Sequence, residues 1–267
     1  MDFNYCIKDK NLEFWYAKGN SVMSGDEFHE FHEIIYIINA NGSFLSEKEK
    51  IKLSTNMLIL IPKETYHNFI FENGENNKNY VRCRIWFSSI PHIEKTLSEY
   101  FSKIRVVLNP NDTVKTLFSE LTETFNKPYL NSERKLLLRS SLLRILFEIK
   151  KGPQNNFLTN KQSQSKLIID ALEIINKSYC KNITVEQIAA ELYVSASKLS
   201  HKFKNELNIS VYKYITLKRL LYAQKLIKSG KKAADAAIKS GFCDYSSFYR
   251  IYKNHYGISP CQNKRKA

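Results

Sequence analysis

Short apolar runs separated by turn-forming segments fill the first 90 residues. β-Branched and aromatic residues concentrate at positions 33–38, 57–62, 68–71 and 80–87. The intervening stretches contain Asn, Gly and Pro, which favour turns. Short strands at this spacing are typical of a small barrel or sandwich. The sequence therefore predicts a compact β domain at the N-terminal end.

The period of the apolar residues changes after residue 90. Residues 93–104, 114–126 and 132–151 carry apolar side chains at i, i+3 and i+4, which predicts that residues 91–151 are helical. One small barrel rarely covers an apolar helix face as wide as that of 132–151, so we expect two subunits to pair through 91–151. The apolar residues of this face are Leu136, Leu137, Leu138, Leu142, Leu143, Ile145, Leu146, Phe147 and Ile149.

A polar segment follows these helices. Residues 150–166 contain Gly152, Pro153 and two Gln/Ser pairs, a composition typical of a linker. This places one domain at 1–151, a linker at 152–165 and a second domain at 166–267.

The second domain contains an internal repeat. Residues 199–211 align with 248–260 at a constant offset of 49, which pairs Asn208 with Gly257, two residues that tolerate the left-handed conformation at a helix end. Ser195 falls on Asp244, and both are good N-caps. Each copy is predicted to form a helix, a tight turn and a second helix, so the domain is predicted to contain two helix-turn-helix motifs joined by a long helix.

In such a motif the second helix enters the DNA major groove. Phe242, Phe248 and Tyr252 match Val194, Leu199 and Phe203 and are predicted to form the buried stripe. The opposite face is predicted to contact DNA, with Lys204 and Lys253 placed for phosphates and the others near base edges. These residues are Ser197, Lys198, Ser200, His201 and Lys204 in the first copy, and Tyr245, Ser246, Tyr249, Arg250 and Lys253 in the second.

The charge distribution supports this interpretation. Residues 161–267 contain 20 Lys and Arg against 7 Asp and Glu, a net charge of +13, whereas residues 1–160 have a net charge of +2. A basic face on a folded domain favours phosphate binding. The connecting helix at 210–230 spans roughly 30 Å, close to one turn of B-DNA at about 34–36 Å. One domain is thus expected to contact two successive major grooves.

Cysteine content and hydropathy indicate the compartment. The five cysteines are scattered, without a CxxC pair, which favours reduced thiols over disulfides or a zinc module. No apolar run approaches the roughly 20 residues of a membrane span, and the N-terminus lacks the apolar core of a secretory signal. We expect a cytoplasmic protein with no membrane contact.

At these residues the chain resembles the AraC/XylS family of bacterial transcription regulators. The marks are "ITVEQIAAELYVSASKLSHKFKNELNIS" (183–210) and "GFCDYSSFYRIYKNHYGISP" (241–260), and the match covers about residues 165–262. Asn208 in place of Gly, Ala233 and Ala236 in place of larger aliphatics, and Asn263 in place of an aromatic depart from the family pattern. The resemblance assigns recognition roles to Ser197, Ser200 and His201, and to Tyr245, Ser246, Tyr249 and Arg250.

The N-terminal half is similar to the cupin-type sensor domain of that family. The supporting stretches are "HEFHEIIYIINANGSF" and "MLILIPKETYHNFIF". The resemblance implies a two-domain α+β protein: a cupin-like barrel with following helices that binds an effector and dimerises, and an all-α DNA-binding domain. It implies a sequence-specific regulator, expected to be an activator, that responds to a small molecule such as a sugar. Its expected partners are double-stranded DNA, the effector, RNA polymerase and a second copy of the chain.

The barrel residues leave alternatives open. His29, His32, Glu33 and His67 suggest a cupin metal site, but Glu27 stands where the first His of the usual His-x-His would be. His32 and Glu33 should point to opposite faces of a strand, so four ligands are not expected to converge. We therefore expect no metal, no cofactor and no enzyme activity. A metal-binding cupin-type enzyme, and a regulator without a small ligand that is switched by a partner protein or by dimerisation alone, are the rival hypotheses.

The effector wall is predicted on residues 82–87. Alternation places Arg82, Arg84 and Trp86 on one face, where Trp stacks on a sugar ring and Arg binds hydroxyls or a carboxylate. The alternative is that this face is external and that Val81, Cys83, Ile85 and Phe87 line the core. The predicted ligand-binding residues are His29, Glu33, His67, Arg84 and Trp86.

Overall fold

The computed structural model describes residues 4–19, 26–71, 80–88, 90, 94–151 and 162–263. The chain divides into two compact units, Met1–Gln162 and Ser163–Ala267. Within the described residues, the first combines antiparallel sheets with three helices, and the second is helical apart from one residue of a two-residue strand. Among the described residues, no helix is both long enough and apolar enough to cross a bilayer.

The strands of the first unit form two antiparallel sheets. The larger sheet has the order β1-β2-β8-β3-β6-β9, and in the smaller sheet β4 lies between β5 and β7. The strands are β1 Asn4–Asp9, β2 Leu12–Lys18, β3 His32–Asn39, β4 Gly42–Ser46, β5 Glu49–Lys52, β6 Met57–Ile61, β7 His67–Phe71, β8 Val81–Phe87, β9 Arg105–Leu108 and β10 Gln162–Ser163. The helices are α1 Glu94–Tyr100, α2 Asp112–Glu123 and α3 Asn131–Lys151.

The central strands of the larger sheet are buried on both faces. One face of its central strands packs with α1–α3, so Ile34 and Cys83 share a core with Leu138, Leu142 and others of the last helix. The other face packs against the smaller sheet in a second core, which contains Ile35 and Phe44. Because both faces are covered, β3 and β6 are apolar almost throughout rather than alternating, as expected for a buried strand.

The described part of the second unit, residues 163–263, contains seven helices. They are α4 Lys166–Ser178, α5 Val185–Glu191, α6 Ala196–Leu207, α7 Val211–Lys228, α8 Ala233–Lys239, α9 Tyr245–Tyr256 and α10 Pro260–Asn263. Small buried residues on α5 and α8, Ala189, Ala236 and Ala237, let the neighbouring helix of each pair approach closely. The predicted capping box at Thr184 and Gln187 is present, with both reciprocal hydrogen bonds.

The structure corrects part of the element prediction. Strands β1, β2, β4 and β5 were not predicted, because their polar residues dilute the apolar pattern. The segment 91–151 is not helical throughout: α1 ends at Tyr100, and β9 adds an edge strand beside β6. Its residues Val106 and Val107 are β-branched, which suits a strand better than a helix. Most of the predicted linker lies outside the described residues.

Candidate functional site

The second helices of the two pairs, α6 and α9, begin and end alike. Ser195 accepts a hydrogen bond from the Lys198 amide at 3.2 Å, and Asp244 accepts one from the Ser247 amide at 2.7 Å. Both helices end in the left-handed region, at Asn208 with φ 60° and at Gly257 with φ 70°. The caps of both helices therefore match the pairing that the repeat predicts.

The inner faces of these helices are buried. Leu199 and Phe203 of α6, and Phe248 and Tyr252 of α9, are completely inaccessible. Phe242 is only half-buried and packs its ring 5.1 Å from that of Phe248. The aromatic residues of 241–260 thus divide between a core stripe and an outer face.

The outer faces carry the predicted DNA contacts. Every one of the ten residues is solvent-exposed, including Tyr245 and Tyr249 at 40% and 37%. The tyrosine rings lie 6.3 Å apart on the first turns of α9. The exposed residues are Ser197, Lys198, Ser200, His201, Lys204, Tyr245, Ser246, Tyr249, Arg250 and Lys253.

The turns within the two pairs share a backbone feature that the repeat alignment did not single out. Tyr193, between α5 and α6, has φ 56°, and Gly241, between α8 and α9, has φ 89°. Both residues lie in the left-handed region, Tyr193 three residues and Gly241 four residues before the first residue of the helix that follows. A Cβ on Gly241 would lie 2.8 Å from the Cys180 carbonyl oxygen, so only glycine fits there. Tyr193 is 96% exposed and meets no such obstacle.

In the first unit, four side chains of metal-ligand type converge. One ligand atom each from Glu27, His29, Glu33 and His67 lies within 4.8 Å of all the others. The Glu33 carboxylate oxygen Oε2 is 3.1 Å from Nε2 of His29 and 3.1 Å from Nε2 of His67. Glu27 approaches His67 Nε2 at 3.6 Å. We call these four residues the Glu/His cluster.

His29, His32, Glu33 and His67 do not all converge, as expected, but four ligands still meet because Glu27 joins three of them. His32 lies away from the cluster: its Nδ1 accepts a hydrogen bond from the Lys63 amide at 3.2 Å, and its ring packs 4.6 Å from that of Phe101. Glu27 takes the fourth position instead, because its backbone forms an isolated bridge with His67. The sequence signal that could have revealed this is the spacing Glu27-x-His29-x3-Glu33.

Arg84 and Trp86 face the same cluster from β8. The register of β8 with β3 pairs Trp86 with Glu33, so these side chains share a face of the sheet. Arg84 is buried and donates hydrogen bonds to the carboxylates of Glu33 and Glu27. Trp86 Nε1 donates to Glu33 Oε1 at 2.6 Å. The alternative that this face is external is therefore wrong. Cys83, Ile85 and Phe87 are buried on the opposite face, so both faces of β8 point into the interior.

The contacts within the cluster set its protonation. Burial alone would raise the pKa of Glu33, but the Arg84 guanidinium and the two nearby histidines hold it well below its usual range. Burial would lower the pKa of His67, but the nearby carboxylates of Glu27 and Glu33 raise it to about 9. The site therefore keeps both carboxylates ionised and favours a positive charge at His67.

The cluster is open on one side. The side chains of Glu33 and His67 are fully buried, whereas those of His29 and Glu27 are 15% and 18% exposed. Near this side the half-buried Trp86 ring lies 5.6 Å from the His29 ring.

A separate cavity of about 790 Å³ opens beside His32, Lys63 and Phe101, and none of the five predicted ligand residues lines it.

Known proteins are similar to this chain in both of its units. A family model described as a helix-turn-helix domain matches residues 188–266. The Msm operon regulatory protein of Streptococcus mutans serotype c is 22% identical over 244 residues, covering 91% of this chain and 87% of the relative. The lactose operon transcription activator of Staphylococcus xylosus is 25% identical over 263 residues, covering 97% and 85%. The chain is a transcription regulator that resembles the AraC family and carries a helix-turn-helix domain at residues 188–266.

This transcription regulator binds DNA and is not an enzyme, which removes the cupin-type enzyme from the rival hypotheses. Among solved structures, ToxT from Vibrio cholerae O395 aligns over 100% of this chain and 97% of its own, with 15% identity and a TM-score of 0.41. The fold is thus of the α+β class, with antiparallel sheets in the first unit and a helical second unit that contains helix-turn-helix structure.

Proposed function

We propose that this regulator contacts DNA through two helix-turn-helix motifs, α5–α6 and α8–α9. The observation that carries the proposal is the exposure of ten polar, basic and aromatic residues on the outer faces of α6 and α9, while their inner faces are buried. The net charge of +13 over 161–267 supplies the attraction to phosphates. Residues 166–267 act as the DNA-binding domain and 1–151 as the sensor domain, joined by a linker at 152–165.

The connecting helix supports binding to two neighbouring grooves. α7 has 18 residues and is therefore roughly 27 Å long. A span of this size is compatible with placing α6 and α9 in major grooves about one DNA turn apart. Base edges would be contacted near the N-terminal ends of α6 and α9, and phosphates by Lys204 and Lys253.

The effector proposal rests on the first unit. Trp86 and His29 line the open side of the Glu/His cluster, and Glu33, His67 and Arg84 supply hydrogen-bonding groups beneath them. An aromatic ring beside buried polar groups suits a sugar. One relative is by name a lactose operon activator. We propose a small polar effector, with a sugar as the first class to test, in a cytoplasmic activator that contacts RNA polymerase.

DNA selection tests the main proposal. The full chain would be incubated with genomic fragments, and bound fragments would be sequenced to find the operator. We expect a bipartite site whose halves are separated by about one helical turn. Recovery of fragments without a common sequence would contradict a sequence-specific role.

A thermal-shift screen tests the effector proposal separately. Mono- and disaccharides would be added to the full chain and to Trp86→Ala. We expect one sugar to raise the melting temperature of the wild type and to lose that effect in the variant. If no small molecule shifts the wild type, the rival hypothesis of a regulator switched by a partner protein or by dimerisation gains support.

A further inference from the structure

The two histidines of the Glu/His cluster are oriented by their outer nitrogens. Nδ1 of His29 lies 2.9 Å from the Phe31 carbonyl oxygen, and Nδ1 of His67 lies 3.1 Å from the Thr65 carbonyl oxygen. A carbonyl oxygen only accepts, so each Nδ1 carries the hydrogen and donates it. In the neutral imidazole Nε2 then keeps its lone pair, and both lone pairs are directed toward Glu33. A backbone carbonyl at the second ring nitrogen is the usual support of a metal-binding histidine.

The carboxylates are supported in the same way. Arg84 and Trp86 donate hydrogen bonds to Oε1 of Glu33, which leaves Oε2 facing the two imidazoles. Arg84 also donates to the Glu27 carboxylate. His67 is fully buried, and its Nε2 has no hydrogen bond of acceptable geometry, although two carboxylates lie within 3.6 Å of it. In the absence of an ion, the proton on His67 offsets part of the carboxylate charge, and a divalent cation between these atoms would take the place of that proton.

We propose that the Glu/His cluster binds one divalent transition-metal ion through Nε2 of His29 and His67 and the carboxylates of Glu27 and Glu33. With neutral histidines, the two carboxylates and Arg84 carry a net charge of −1, which a divalent ion more than neutralises. Two imidazoles and two carboxylates suit Zn²⁺, Co²⁺, Fe²⁺ or Mn²⁺ better than Ca²⁺ or Mg²⁺, which prefer oxygen ligands alone. The partly exposed side chains of Glu27 and His29 give the ion a route of entry.

The experiment uses Co²⁺ as the probe, because its visible absorption reports coordination. Full-length protein without an affinity tag is stripped with a chelator, kept reduced and titrated with Co²⁺. We expect saturable binding of one ion per chain. We expect His29→Gln to weaken that binding by about tenfold or more, because it removes one ligand at a partly exposed position.

His32→Gln is the matched control, since His32 is three residues from His29 and lies outside the cluster. It should bind Co²⁺ like the wild type. Equal binding by wild type and His29→Gln, or no saturable binding, would overturn the proposal. An intense near-ultraviolet thiolate band would also overturn it, because it would assign the ion to an exposed cysteine such as Cys243 or Cys261.

A second readout covers variants that are difficult to fold. Co²⁺ should raise the melting temperature of the wild type, because an ion that binds only the folded state stabilises it. Glu27→Gln should abolish this rise while keeping an oxygen that accepts from Arg84. An equal rise in both proteins counts against the site. DNA binding by the stripped protein is measured in parallel, so that failure of the metal proposal is distinguished from failure of the DNA-binding proposal.

Discussion

At the scale of single residues, the left-handed position in the two turns shows how the repeat has diverged. Gly241 accepts φ 89° without a steric penalty, and the nearby Cys180 carbonyl excludes any side chain. Tyr193 adopts φ 56° with a side chain that is 96% exposed. A left-handed conformation costs a residue with a Cβ roughly 1–2 kcal/mol. The first motif therefore tolerates strain that the second avoids.

Replacing Tyr193 with glycine should stabilise the second unit. Relief of the left-handed strain outweighs the greater chain entropy of glycine in the unfolded state, and we expect a net gain of about 0.5 kcal/mol or more. Urea unfolding followed by helical circular dichroism measures this. Tyr193→Ala is the control, because it removes the ring and keeps the Cβ. A gain of the same size in Tyr193→Ala would show that the ring, and not the backbone, is responsible.

At the scale of elements, most cap and core residues of the second unit could be predicted from the sequence. The Thr184 capping box, the N-caps Ser195 and Asp244, and the fully buried Phe248 follow from local rules that involve few neighbours. The same reasoning failed in the first unit. Whether Arg84 or its neighbours face the interior depends on a second sheet and on helices packed from opposite sides, which alternation along one strand cannot reveal.

The Glu/His cluster illustrates the same limit. Alternation along the strand correctly predicted that His32 and Glu33 point to opposite faces, but it did not predict the position of Glu27. Glu27 lies outside any strand and reaches His67 through a single bridge. Its placement thus depends on a contact across 40 residues of sequence, for which the local pattern holds no information.

We propose that helix α9 contacts bases near its N-terminus and phosphates further along its length. Arg250 should form two hydrogen bonds with a guanine, so Arg250→Ala should lose about 1–3 kcal/mol of discrimination against other bases. Lys253, further from the helix N-terminus, should contact phosphate. Lys253→Ala should therefore weaken operator and random DNA about equally and reduce the salt slope by about one unit. Fluorescence anisotropy with both DNAs measures this. Equal losses on both DNAs for Arg250→Ala would make Arg250 a phosphate or structural residue.

Helix α3 presents an apolar stripe to solvent. Leu136, Leu143 and Phe147 follow one another at intervals of seven and four residues and are 70%, 47% and 56% exposed. Residues at these intervals share one helix face. Leu138, Leu142 and others of the helix are buried against the sheet. The stripe is the part of 91–151 through which we propose that two subunits pair.

Phe147→Lys should dissociate the proposed dimer, because it places a charge within the apolar stripe. Sedimentation velocity at micromolar concentration should show a monomer for this variant and a dimer for the wild type. Ser119→Lys is the control, since it adds the same charge at an exposed position on α2. A wild-type protein that is strictly monomeric would refute pairing through α3.

At the scale of the whole molecule, the charge is unevenly distributed along the chain. Nearly all of the positive excess lies in 161–267, while residues 1–160 are close to neutral. DNA binding by the full chain should therefore depend strongly on salt. With six or more phosphate contacts, affinity for random DNA should fall at least about a thousandfold between 50 and 200 mM salt. Anisotropy titrations at several salt concentrations give the slope. An affinity independent of salt would rule out phosphate roles for Lys204 and Lys253.

Strand β8 separates the Glu/His cluster from the core beneath α3, because its successive side chains point to opposite faces of the sheet. Arg84 on one side is covalently adjacent to Cys83 and Ile85 on the other, and these pack in the core that holds α3. A cation or effector that draws Arg84 away from its carboxylates would pull on the same backbone that supports the helix. A single peptide unit then separates the polar interior from the outer helical layer. Binding of an ion or effector beside Arg84 would therefore change the packing against α3 without movement of any loop.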